Sequence, residues 1–111
     1  MRMFKILDFI QINNYSAYRK YSLTFLKKEF ALIKWNPDSI TKLHDHQGKK
    51  CSFFILDGPI KEYFYQKNNT NCETLVKHHE SFSKGYIDDS MGLHQILNED
   101  NCHKYSLHYY R

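Results

Sequence analysis

His44-Asp45-His46 sets two imidazoles one residue apart, and a third follows in Gly92-Leu93-His94. In an extended segment, side chains two positions apart leave the same face, at a separation that one first-row metal ion can bridge. His44 and His46 would then act from one strand with Asp45 turned away, and His94 would complete a three-imidazole cage. The same residues also read as surface histidines in a chain that holds seven. Imidazole does not select strongly among metals, and iron, zinc or nickel would all suit such a cage.

A second constellation lies near the other end, in Ser106-Leu107-His108-Tyr109-Tyr110. Its period of two puts Ser106, His108 and Tyr110 on one face of a strand and Leu107 and Tyr109 on the other. If the first face points into a core, a hydroxyl, an imidazole and a phenol there are costly unless they hydrogen-bond to one another. If it points outward, the three form an ordinary solvated face.

The elements that must position these groups are short. At 111 residues the chain makes one domain, 1–111, with one core. Residues 3–13 put Phe4, Ile6, Leu7 and Ile10 near helical spacing, and Asn13-Asn14 stops the pattern, which predicts a short N-terminal helix within 1–14. From residue 18 onward the pattern is strand-like. Tyr21, Leu23 and Phe25 alternate, Lys27-Lys28-Glu29 turns, and Phe30 to Trp35 is a nearly continuous apolar run. Asn36-Pro37-Asp38-Ser39 turns again, and extended segments follow near 51–56, 60–66, 73–79, 86–87, 93–97 and 104–110. Short strands at this frequency predict an all-β sandwich or barrel over 18–111. Internal repeats, low-complexity segments and linkers are lacking.

Composition narrows the setting. The net charge is +4 with scattered lysines, so no clustered basic face points to nucleic acid. No run of eighteen apolar residues is present, and Met1-Arg2-Met3-Phe4-Lys5 does not begin a signal peptide, so no membrane association is expected. The cysteines at 51, 72 and 102 are odd in number and fit reduced thiols in a cytoplasmic protein.

Three blocks carry a family resemblance. Trp35, His44-Asp45-His46, Gly48, Cys51, Leu56-x-Gly58 and Glu62 resemble the first block of cysteine dioxygenase. Tyr86-Ile87-Asp88-Asp89-Ser90-Met91-Gly92-Leu93-His94 resembles the second, and Ser106-Leu107-His108-Tyr109-Tyr110 the third. The likeness runs in order from about residue 18 to 110. It implies a small cupin, a double-stranded β-helix or jelly-roll barrel, holding non-haem Fe(II) on His44, His46 and His94. Three neutral imidazoles leave room and positive charge for a thiolate, an amine and O2. The implied reaction is oxidation of L-cysteine to cysteine sulfinic acid; a monomer is expected, apart from the resemblance.

The resemblance also assigns roles around the metal. Cys51 and Tyr110 match the positions that form a thioether crosslink in mammalian-type members. Ser106, His108 and Tyr110 match a relay that aims the tyrosine hydroxyl at the substrate. The family's carboxylate anchor lies in a Tyr-x-Arg element, and the candidate here is Tyr18-Arg19-Lys20. Strict spacing selects Lys20, whereas bidentate chemistry favours Arg19, the preferred anchor. His78, His79, His103, Cys72 and Cys102 read as structural or exposed, with His79 at an exposed strand end. Glu62 stays outside the metal's ligands as a salt-bridge partner. Larger members continue past the Tyr110 position, so a shorter lid would leave the pocket open to larger thiols. The alternatives are a dioxygenase for another small thiol or an N-terminal Cys peptide, or an inactive metal-binding cupin.

Overall fold

The computed structural model describes residues 10–43, 48–67, 72–88 and 93–111. Its described elements are all strands: β1 (Gln11–Asn14), β2 (Tyr18–Phe25), β3 (Lys28–Trp35), β4 (Ser39–Ile40), β5 (Cys51–Ile55), β6 (Ile60–Lys67), β7 (Cys72–His79), β8 (Lys84–Ile87), β9 (Leu93–Asn98) and β10 (Lys104–Tyr110). One sheet has six strands in the order β1-β2-β3-β10-β5-β8, and the other has four in the order β4-β9-β6-β7. From β3 to β6 and from β7 to β10 the chain changes sheet at every connection. That alternation is the all-β jelly-roll architecture expected from the strand frequency and the resemblance. Among the described residues no helix is long and apolar enough to cross a membrane.

The N-terminal helix expected within 1–14 needs correction where the chain is described. Gln11–Asn14 is strand β1, paired antiparallel with β2 from Gln11↔Ser22 to Asn14↔Arg19. A free edge on β2 offers a row of backbone donors and acceptors, and pairing them outweighs a weak local helical pattern. Residues 1–9 lie outside the described residues. A smaller shift occurs at the hairpin between β2 and β3. The turn is Leu26-Lys27, both at positive φ (50° and 65°), while Lys28 and Glu29 already belong to β3. Two left-handed residues make the tight connection that matches strand twist, and the buried register across β2 and β3 imposes it on residues that do not favour it.

The inward faces follow the period of two. Cys51, Phe53 and Ile55 of β5, Ala31, Ile33 and Trp35 of β3, and Ile60 and Phe64 of β6 are buried. Ser106 of β10, Glu62 of β6 and His94 of β9 point into the same interior. Two glycines allow close approaches there. A Cβ on Gly85 would stand 2.1 Å from Cζ of Phe53, its cross-strand partner, so the aromatic ring lies directly over the glycine. A Cβ on Gly58 would meet the backbone nitrogen of Ser81 at 2.6 Å, which ties the turn before β6 to the end of β7.

Candidate active site

The third block turns its Ser106, His108 and Tyr110 face inward. β10 sits between β3 and β5, and Ser106, His108 and Tyr110 face Ile55, Phe53 and Cys51 as direct cross-strand partners. Trp35 Nε1–H donates to Ser106 Oγ at 2.8 Å, and Ser106 Oγ lies 2.7 Å from His108 Nε2. The other imidazole nitrogen, Nδ1, lies 3.6 Å from Cys51 Sγ. The rings of His108 and Tyr110 stack at 6.0 Å with 14° between planes, and Phe53 stacks on His108 at 5.7 Å. Cys51 and Tyr110 share a side-chain hydrogen bond. These groups line a narrow cavity of about 50 Å³ with Tyr18, Glu62, His79 and His94.

Burial governs the protonation of this cluster. It pushes the Cys51 thiol up to about 12, although the hydrogen bond from Tyr110 pulls the other way. Burial first, and then the Cys51 charge, holds the Tyr110 phenol well above its usual range. Burial raises Tyr18 to about 12 as well. Near neutral pH all three groups are therefore protonated donors.

The alternation of β2 separates the two candidate anchors. Arg19 is exposed on the outer face, where Nε donates to Asn14 Oδ1 at 2.6 Å and a terminal nitrogen to the Tyr21 hydroxyl at 3.4 Å. Lys20 faces inward. Its Nζ lies 3.0 Å from Glu29 and 4.8 Å from the centre of the Tyr110 ring. Of the two candidates it is therefore Lys20, and not Arg19, that shares the inward face with Tyr18, because a one-residue step along a strand reverses the face. Tyr18, on the inward face with Lys20, packs against Trp35 at 5.1 Å.

His94 is buried on β9, with Phe64 stacked along its ring at 6.1 Å. Its Nδ1 donates to Glu62 Oε2 at 2.8 Å, and the other carboxylate oxygen receives His79 Nε2 at 2.8 Å. Burial pushes the Glu62 carboxyl up, but the hydrogen bonds and charges of His79 and His94 more than reverse this, leaving it below the usual range. His79, expected at an exposed strand end, is buried instead (9 % exposed). The signal for Glu62 was available: Ile60, Glu62 and Phe64 alternate, so a carboxylate shares an apolar face and must find donors. Its partner was not legible, because the pairing of β6 with β7 brings His79 to it.

His44 and His46 lie outside the described residues, and among the described residues no group of three or more His, Cys, Asp or Glu could hold a metal ion. What is described on either side of them converges on the site. Thr41 N–H donates to Ile96 O and Ile96 N–H to Thr41 Oγ1, each at 2.9 Å, two residues from His94. Beyond Gln47 the chain returns through Lys50, whose backbone exchanges two 2.9 Å hydrogen bonds with Arg111, into Cys51. The donor chemistry of His94 suits a metal. With hydrogen on Nδ1, the neutral ring carries its lone pair on Nε2, the arrangement of a carboxylate-oriented ligand.

A model of the family described as cysteine dioxygenase type I matches residues 2–111. This chain belongs to that family. It is similar to cysteine dioxygenase type 1 of Homo sapiens, 28% identical over 89 residues, and to that of Rattus norvegicus, 27% identical over the same length. In both cases the match covers 76% of this chain and 44% of the relative, so the chain spans less than half the length of the curated relatives it matches. Solved structures add the fold alone. The CENP-C cupin domain of Drosophila melanogaster superposes with a TM-score of 0.73 at 8% identity, covering 92% of this chain and 75% of that one. The capsular polysaccharide assembling protein CapF of Staphylococcus aureus gives 0.71 at 14% identity, covering 91% and 28%. A cysteine dioxygenase family member on a cupin fold is consistent with the inward polar strand β10 and its contacts with Cys51.

Proposed function

We propose that the protein is a thiol dioxygenase that oxidises L-cysteine to cysteine sulfinic acid, both atoms of O2 going to sulfur. The observation that carries this reading is the inward Ser106–His108–Cys51–Tyr110 cluster in one cavity with His94, within a chain of this family. Fe(II), held by His44, His46 and His94, would supply open positions for thiolate and dioxygen. The chain's own residues do the rest. Lys20 Nζ meets the substrate carboxylate as a point charge, exchanging part of its contact with Glu29. Trp35 and Ser106 fix His108, and His108 and Cys51 hold Tyr110 so that its protonated hydroxyl can donate to substrate. Phe53, Ile55 and Ile87 keep the floor of the cavity apolar and exclude water.

A reduced cytoplasmic setting and a monomer suit this chemistry, with the thiol and O2 as the partners. The Lys20–Glu29 pair supports a second reading, a dioxygenase for another small thiol. Its charges cancel beside the Tyr110 ring, and Glu29 offers an acceptor to an amine as readily as Lys20 offers a donor to a carboxylate.

The test is oxygen uptake by the purified, Fe(II)-reconstituted protein with L-cysteine, paired with detection of the sulfinate. Stoichiometric uptake with sulfinate is expected. Uptake with cysteamine or 3-mercaptopropionate but not with L-cysteine would move the assignment to the second reading. Iron binding without oxygen consumption would refute both and leave a metal-binding cupin.

A further inference from the structure

Glu62 and His79 have no task in the reaction proposed above, yet Glu62 is 1 % exposed and His79 9 % exposed. A buried carboxylate in an apolar interior is expensive, and its retention calls for donors that use its charge. Both oxygens of Glu62 are used, one by each histidine, at 2.8 Å. We propose that Glu62 is a positioning residue that fixes the ring and the proton of His94, with His79 clamping the carboxylate from the far side. This rests on the reading of His94 as a metal ligand.

The sheet register explains the geometry. Directly opposite Glu62 stand Ile96 on β9 and Lys77 on β7. His94 lies two residues before Ile96 and His79 two residues after Lys77, opposite Phe64 and Ile60 respectively. They are therefore the diagonal neighbours of Glu62 on the two flanking strands and on its own face, within reach of a long side chain. A carboxylate drawn by one diagonal alone could swing away. Held by both, it is locked midway, and the His79 ring itself packs nearly perpendicular to Phe53, at 5.1 Å and 86°.

The electrostatic consequence concerns a site made of imidazoles alone. Such a site has no anionic ligand, and a carboxylate hydrogen-bonded to Nδ1–H raises the basicity of Nε2 across the ring. Glu62 would supply negative charge to the metal without occupying a coordination position. That leaves the position open for substrate.

The test is the Fe(II) affinity of the full chain, measured by chelator competition, for the wild type, Glu62→Gln and His79→Gln. Glu62→Gln should weaken binding by about 10- to 100-fold, since an amide carries no charge and cannot accept at both atoms. His79→Gln should stay near wild type, because its amide N–H still donates to Oε1. Unchanged affinity in Glu62→Gln overturns the proposal, and so does an equal loss in His79→Gln, which would indicate a general packing effect. A wild type that binds no Fe(II) overturns the metal reading underneath and the proposal with it. Should Glu62→Gln not fold, nitrogen-15 NMR of the wild-type metal-free protein decides the matter. Neutral His94 should carry its proton on Nδ1, and a proton on Nε2 overturns the proposal.

Discussion

Cys51 and Tyr110 face one another across β5 and β10 as direct cross-strand partners, and their side chains share a hydrogen bond. Both are shielded, and both are held protonated far above neutral pH. The thiol is therefore a poor nucleophile despite lying beside His108, since the thiolate is the reactive form.

Alkylation should report that state. Iodoacetamide at neutral pH is expected to modify exposed Cys102 and spare buried Cys51 until denaturant is added. Peptide mapping by mass spectrometry reads the difference, and rapid native labelling of Cys51 would contradict the protonated, buried thiol.

Alkaline pH should destabilise the fold through the same residue. In the unfolded chain the thiol ionises near 9.0, whereas in the fold it stays protonated up to about 12. Above the lower value the unfolded state binds fewer protons, so stability falls as pH rises, by at most about 1.4 kcal/mol per pH unit. Urea midpoints measured from about pH 8 to about pH 10 should decline for the wild type and decline less for Cys51→Ala.

Acid should act through Glu62, with the opposite sign. Its folded-state carboxyl ionises below the ordinary 4.5 because His79 and His94 overcome burial. The unfolded state then binds more protons in acid, so this stabilisation is present above that value and is lost as pH falls through the folded-state value. A Glu62→Gln variant, if folded, should show a flatter acid limb in thermal melts.

Lys20 and Arg19 should separate kinetically. Replacing the inward Lys20 with Ala removes a charge-assisted contact worth about 1.5–3 kcal/mol, a loss of about 10- to 100-fold in kcat/KM for L-cysteine. Arg19→Ala, on the outer face, should leave kcat/KM near wild type. Equal losses in the two variants would refute the assignment of Lys20 as anchor.

Gly85→Ala should reach the site from a distance. The new methyl group would collide with the Phe53 ring, which also stacks on His108 and meets His79 edge-on. Overpacking of this kind costs about 1–3 kcal/mol, visible as a lower urea midpoint, and turnover should fall with it. A fully active, fully stable variant would mean that Phe53 holds neither histidine.

The sequence by itself determined the strand faces and the chemistry they carry. Alternation in 104–110 was enough to say which side chains share a face, because that period is a local property of extended backbone. It also sufficed to bring Ser106, His108 and Tyr110 together, and the three family blocks pointed to Cys51 as their neighbour. Only the tertiary structure decided which strands pair and in what register. That pairing turned residues 11–14 from an expected helix into an edge strand, sent Arg19 outward and Lys20 inward, and carried His79 from a presumed surface position to Glu62. Each of these outcomes depends on a partner distant in the chain, and local periodicity holds no record of which partner will satisfy a buried charge or a free backbone edge.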